Sequence, residues 1–229
     1  MSENYQELLK LSTTKFETEV FSLLVDNQLL IHNTEFACHF NPKIQERMTL
    51  QKESIQNKIA LLVKHMGDGR RLEDFDKGVM FDLICVMAQS ALSYFEMFRS
   101  LLACCIDLRK VGISEEKPTY GEIIDSLGDY KNDGILVFHK AGLRSFFNVD
   151  LRNSLIHDSW WVNHNAEFTY RESDETEISL SIGELHGELA SINAIVVAFT
   201  ENYLKLFDKN VLEHLKHNTV GFFDSKKYD

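Results

Sequence analysis

Apolar residues recur every three to four positions along most of the chain, which is the period of an amphipathic helix. Thr14-Lys-Phe-Glu17 has the spacing of a capping box and predicts the start of a first helix. Asn41-Pro42 predicts a second helix, which continues to about Met66. The longest predicted helix covers about residues 76–110 and is apolar on most sides, as is typical of a helix at the centre of a bundle.

The second half of the chain predicts shorter helices and one change of period. Thr119-Tyr-Gly-Glu122 has the spacing of another capping box. Residues 134–147 and 149–160 predict two further helices, with Asn148 as a cap between them. Apolar and polar residues then alternate between about 162 and 182, which predicts a β-hairpin.

A last long helix follows the predicted hairpin and begins at Ser181-Ile-Gly-Glu184, which again has capping-box spacing. The predicted fold class is therefore all-α, a helical bundle with one small β-hairpin inserted before the last long helix. We expect residues 1–70 to form an N-terminal helical extension packed on the core. Residues 71–229 would form the bundle domain and contain the hairpin.

Composition and charge narrow the choice of function. The chain has 229 residues, 44% of them hydrophobic, which suits a globular domain with a real core. Its 24 Lys and Arg against 35 Asp and Glu give a net charge of −11, which argues against sequence-blind nucleic-acid binding by the whole surface. No apolar run reaches the length of a membrane span and no signal peptide is evident, so we expect a cytoplasmic protein. The four cysteines include no CxxC pair and are predicted to be buried, reduced thiols.

Motifs for metals and cofactors are weak. The stretch from Asp129 to Gly134 is similar to the start of a calcium loop, but Lys131 and Lys140 stand where carboxylates or amides are needed. It is better explained as a turn between helices. Two closely spaced histidine pairs have no clear third ligand, namely His157 with His164 and His214 with His217. We therefore predict neither a metal nor a cofactor.

One motif has a clear chemical meaning, Arg152-Asn153-x-x-x-His157. Asn153 and His157 are four residues apart and share one face of a helix, and the long side chain of Arg152 can reach the same side. A guanidinium binds phosphate bidentately, an imidazole exchanges protons near neutral pH, and an amide can orient either group. RNA supplies its own nucleophile, the 2′-hydroxyl. The three residues are therefore predicted to be catalytic in metal-independent RNA cleavage.

The same motif resembles that of the HEPN superfamily, in which an Arg, often followed by Asn, Asp or His, precedes a His after four to six residues. The resemblance covers about residues 75–210. It implies a helical bundle, a homodimer with its active cleft between two motif helices, and cleavage that leaves a 2′,3′-cyclic phosphate. It also implies a toxin or host-defence effector with an antitoxin or regulatory protein as a further partner. Because some members are inactive, the alternative is a helical module that dimerises through the same helix and binds nucleotide or protein.

Three further residues leave alternatives open. Glu96 lies in the apolar central helix, where a carboxylate usually has a partner; we expect Arg99, one turn away, with Arg152 as the alternative. Trp160 and Trp161 could stack on bases, but we expect them to pack against the protein.

Overall fold

The structure is a computed structural model. The residues that it describes are 3–33, nine helical positions between 43 and 57, 77–114, 117–172 and 174–207. Most of the helix predicted from Asn41-Pro42 lies outside the described residues, as do Cys38, His214 and His217.

The first helix is longer than predicted and contains an irregular turn. It consists of α1 (Glu3–Phe16), a π-helical turn (Glu17–Phe21) and α2 (Ser22–Asp26). The predicted capping box at Thr14 is wrong, because Thr14 lies inside α1 and its carbonyl accepts the Thr18 hydroxyl at 2.8 Å. The local capping signal is overridden by packing, since Phe16 is fully buried and keeps the chain helical against the core.

The remaining helices follow the predicted order. They are α3 (Lys77–Cys105), α4 (Tyr120–Asp129), α5 (Lys140–Phe146), α6 (Val149–Ile156) and α7 (Ile182–Phe207). The capping box before α4 is confirmed, because the Thr119 hydroxyl accepts from the Glu122 amide at 3.3 Å and Glu122 Oε2 accepts from the Thr119 amide at 2.6 Å. The box before α7 is confirmed in the same way between Ser181 and Glu184. Both boxes form because all their hydrogen bonds are local.

A short hairpin joins α4 to α5 where the sequence predicted only a turn between helices. Its strands are β1 (Lys131–Asn132) and β2 (Ile135–Leu136), paired antiparallel. Asp133 and Gly134 between them have φ values of 51° and 79°, the two positive angles that a tight type I′ turn requires. The helix predicted over 134–147 is therefore wrong at its start, since α5 begins only at Lys140.

A three-stranded antiparallel sheet lies between α6 and α7. Its strands are β3 (Trp160–Val162), β4 (Phe168–Arg171) and β5 (Glu177–Leu180), in that order. The predicted hairpin is confirmed as β4 and β5, but β3 was not predicted as a strand, and the helix predicted over 149–160 is wrong at its end, where Trp160 begins β3. The helix stops at Ile156 because Asp158 takes a left-handed conformation, with φ 51°. Trp160 then pairs with Tyr170 and adds a strand to the sheet.

The core is built around the contact of α3 with α7, and α1 packs on α7 from outside. Three buried rings meet at its centre, because the centroid of Phe98 lies 6.3 Å from that of Phe16 and 5.8 Å from that of Phe199. The described part of the N-terminal region thus shares the core of the bundle. The predicted division at residue 70 lies outside the described residues and stays a prediction.

Two helices of the described region, α3 and α7, are long and apolar enough to cross a membrane by length and composition alone. About half of the most apolar window of each is buried inside the bundle, 50% in α3 and 44% in α7. Both helices also contribute to the core of this fold.

None of the three cysteines within the described residues forms a disulfide bond. Cys105 is buried, as predicted, whereas Cys85 and Cys104 are half-buried.

Candidate functional site

The helix that carries the motif, α6, is fixed by its N-cap, Asn148. Asn148 has a left-handed backbone with φ 45°, which Asn tolerates better than most residues, and its side-chain oxygen accepts from the Leu151 amide at 3.3 Å. Its amide nitrogen donates to Glu188 of α7 at 3.0 Å. The predicted cap at Asn148 is therefore confirmed. It sets the direction of α6 against the core, in which Leu151 and Leu155 are buried.

Arg152 lies on the inner side of α6 and is only 6% exposed. Its guanidinium is directed at α3, where Nη2 and Nε donate to Oε1 of Glu96 at 2.6 and 3.2 Å. The other oxygen of Glu96, Oε2, accepts from Nε of Arg99 at 2.8 Å. Glu96 therefore binds both of the partners that the sequence offered as alternatives, one with each oxygen.

The charges in this cluster do not cancel. Two guanidiniums, of Arg99 and Arg152, surround the single carboxylate of Glu96 and leave one net positive charge. Burial alone would raise the pKa of Glu96, but hydrogen bonds from Arg99 and Arg152 and the charges of both outweigh it, so the pKa lies below its usual value. Glu96 is therefore ionised at neutral pH.

An aromatic ring forms one wall of the cluster. The guanidinium carbon of Arg152 lies 5.8 Å from the centroid of the Tyr120 ring, within the range of a cation–π contact. The Tyr120 hydroxyl donates to the carbonyl of Phe147 at 3.0 Å, which fixes the ring between α4 and the start of α6. Burial raises the pKa of Tyr120 well above its usual value, so this hydroxyl stays protonated.

Asn153 is the link between the buried and the exposed part of the motif. Its Oδ1 accepts from Nη1 of Arg152 at 3.2 Å, and its carbonyl accepts from the amide of His157 at 3.0 Å. His157 ends the helix and is exposed. No residue that the structure describes forms a hydrogen bond or ion pair with its imidazole.

The structure brings only part of the predicted set together on one surface. Asn153 and His157 are four residues apart at the end of α6 and lie on one side of the helix. Arg152 and His157 are five residues apart, which separates their directions by about 140° around a helix axis. In one copy of the chain, the guanidinium therefore faces α3 while the imidazole faces solvent.

The two tryptophans after the motif have different environments. Trp160 stacks on Phe168 with a centroid distance of 5.2 Å, so it packs as expected. Trp161 points to the other face of the sheet, is 37% exposed, and has the Arg171 guanidinium 5.6 Å from its ring centroid. The carbonyl of Arg171 accepts from the Ser154 hydroxyl at 2.8 Å, which ties β4 to the motif helix.

The sequence pattern missed one member of this site, Tyr120, and offered the contact of Glu96 with Arg152 only as an alternative. That contact joins residues 56 positions apart and depends on how α3 packs on α6. Tyr120 was assigned only to a capping box. Its signal was faint, because one aromatic residue in the first turn of a helix rarely has a meaning beyond packing.

Within the described ranges, no group of three or more His, Cys, Asp or Glu side chains is arranged to hold a metal ion. A cavity of about 390 Å³ opens between α1, α5 and α7, and Lys15, Asn148 and Glu188 are among its lining residues. It adjoins Asn148, the N-cap of the motif helix, whereas Asn153 and His157 lie at the other end of that helix.

Comparisons with protein-family models, with curated proteins and with solved structures find no match to this chain. The resemblance to HEPN proteins therefore depends on the residues of the motif itself. What the structure adds is a mostly helical fold with small antiparallel sheets and the environment of those residues.

Proposed function

We propose that this protein is a metal-independent endoribonuclease of the HEPN type. The observation that supports it best is the arrangement at the end of α6, where Asn153 contacts Arg152 and lies four residues from the exposed His157. A net positive charge from Glu96 and its two arginines lies directly behind this surface. These are the parts that cleavage of a phosphodiester requires, an acid–base group and stabilisation of negative charge.

The reaction is a transfer within the RNA. The 2′-oxygen forms a bond to phosphorus while the bond from phosphorus to the 5′-oxygen breaks. A neutral imidazole takes the proton of the 2′-hydroxyl, and a protonated imidazole gives one to the departing 5′-oxygen. The products are a 2′,3′-cyclic phosphate and a 5′-hydroxyl, and no water is consumed.

Two imidazoles in different protonation states imply two copies of the chain, each supplying His157. Ile156, next to His157, is 40% exposed, an apolar residue at the position where a second α6 would pack. The proposed assembly is therefore a homodimer through the motif helix. We place it in the cytoplasm as a toxin or defence effector, under the control of an antitoxin or other regulatory protein. With a net charge of −11, we expect weak and salt-sensitive affinity for bulk RNA.

The test is cleavage of a labelled single-stranded RNA in EDTA. We expect cleavage by the wild type and a loss of at least about 100-fold in His157→Ala, which removes the acid–base group. His164→Ala is the matched control, because His164 is also exposed and lies seven residues away in the turn before β4. Cleavage that persists in His157→Ala, or that requires added magnesium, would contradict the mechanism.

One observation favours a second function, a catalytically inactive helical module that dimerises through α6 and binds nucleotide or protein. The guanidinium of Arg152 is buried and already bound to Glu96 and Asn153, as in a residue that only supports a helix. In that case, Ile156→Asp would convert the protein to monomers in size-exclusion chromatography with light scattering. The wild type would then show no cleavage under any condition of the RNA assay.

A further inference from the structure

Hydrogen bonds link Glu96 to Arg152 and Arg152 to Asn153. Oε1 of Glu96 accepts two hydrogen bonds from Arg152, and the third nitrogen of Arg152, Nη1, donates to Asn153. All three guanidinium nitrogens are thus engaged within one copy of the chain. Only 6% of Arg152 is exposed, and the Tyr120 ring lies along one side, so the guanidinium is shielded from solvent.

This connection determines the orientation of the Asn153 amide. A guanidinium only donates hydrogen bonds, so the Asn153 atom that faces Nη1 must be the carbonyl oxygen. The NH₂ group must then point away from Arg152. Nδ2 of Asn153 has no hydrogen-bond partner among the described residues, and it is not a buried unsatisfied atom either. Together with the imidazole of His157 it is available to a ligand at the end of α6.

We propose that Glu96 is a positioning residue of the ribonuclease. It fixes Arg152, and through Arg152 it orients the Asn153 amide so that its NH₂ group and His157 both face the RNA. This inference rests on the proposed function and assigns separate roles within the motif. Asn153 donates to a phosphate oxygen, His157 moves the proton, and Arg152 acts through Asn153 and through its charge without touching the phosphate.

The test compares Glu96→Gln with the wild type in steady-state RNA cleavage. The substitution keeps the size of the side chain but removes the charge that holds Arg152. We expect kcat to fall by about 10- to 100-fold and KM to change less than threefold. A loss of this size is expected when a reacting group is displaced by up to about 1 Å. Glu96→Asp keeps the charge and should recover part of the loss.

Asp125→Asn is the matched control. Asp125 accepts from Nη1 of Arg144 at 2.8 and 3.0 Å, so this variant also breaks a half-buried carboxylate–guanidinium pair, but one that involves neither Asn153 nor His157. We expect its kcat to equal that of the wild type. Thermal melts of all variants test whether each one is folded at the assay temperature.

A second measurement needs no activity. In ¹⁵N–¹H spectra, the side-chain NH₂ signals of Asn153 should move in Glu96→Gln and stay in place in Asp125→Asn. If both kcat and these signals are unchanged in Glu96→Gln, the proposal is wrong. It is also wrong if the signals move but kcat does not fall, or if kcat rises, because Glu96 would then be holding Arg152 away from the phosphate.

The two proposals fail in different ways. A wild type that cleaves no RNA refutes the ribonuclease and the catalytic part of this inference. Signals of Asn153 that still move in Glu96→Gln would nevertheless support the connection from Glu96 through Arg152 to Asn153.

Discussion

Replacing Phe16 by Ala tests whether the first helix belongs to the same cooperative unit as the motif helix. Phe16 is fully buried, and its ring lies 6.2 to 6.5 Å from those of Phe21, Phe98, Phe147 and Phe199. These rings come from the π-helical turn, from α3, from Phe147 directly after α5 and from α7. One side chain therefore joins the N-terminal region to most of the bundle.

The expected cost follows from that position. Truncation of a fully buried Phe to Ala lowers the free energy of unfolding by about 3–5 kcal/mol. Because Phe16 meets rings on four segments, which cannot all move into the cavity, we expect a value in the upper half of that range. For a chain of this size, it corresponds to a fall in Tm of about 8–20 °C.

The assay is urea unfolding followed both by circular dichroism and by tryptophan fluorescence, since both tryptophans lie in β3. Leu11→Ala in the same helix is the control, because Leu11 is 66% exposed and its loss should change stability by less than about 0.5 kcal/mol. A loss below about 1 kcal/mol in Phe16→Ala would refute the reasoning. So would a helical transition that precedes the fluorescence transition, since α1 would then detach independently.

Three further predictions concern local features. The pKa of Glu96 is lowered in the folded state, so the ionised carboxylate contributes its full stabilisation above the unfolded pKa of about 4.3 and loses it as the pH falls through the lower folded pKa. In urea unfolding, the stability of Glu96→Gln should therefore depend less steeply on pH below about 4.3 than that of the wild type. Thr119→Ala removes the N-cap of α4 and should cost about 1 kcal/mol in urea unfolding, with Thr119→Ser recovering most of it, whereas equal loss in both would contradict a capping role. Burial raises the pKa of the Cys105 thiol, so iodoacetamide at pH 8 should label it only after unfolding, as measured by mass spectrometry of the digested protein. Rapid labelling of the native protein would contradict this prediction.

Short motifs predicted the features whose hydrogen bonds join residues close together in the chain. The capping boxes at Thr119 and Ser181 were predicted correctly, because each is complete within four residues of chain. The same reasoning was wrong at Thr14, where burial of Phe16 outweighs the preference of a threonine for a helix end. The hairpin β1–β2 carried a turn signal in Asp133-Gly134, but strands of two residues have no alternation to reveal them.

The sequence pattern did not predict features that depend on contacts between residues far apart in the chain. Trp160 to Val162 contain no alternation, and they become a strand because β4 is available to pair with them. The motif was evident as Arg152, Asn153 and His157, but the direction of Arg152 was not. It depends on Glu96, which is brought to α6 by the packing of two helices far apart in sequence.

The π-helical turn lets the first helix contain one residue more than a regular α-helix of the same phase would. Phe16 and Phe21 are five positions apart, a spacing that an α-helix would direct about 140° apart, yet both rings reach the core with centroids 6.2 Å from each other. The wider turn accommodates one extra residue and keeps both halves of the helix in phase with α7. Substitutions at the exposed Thr18 and Glu19 leave this phase intact. Deleting either one would close the turn into a continuous α-helix, in which both rings, then four positions apart, still face the core.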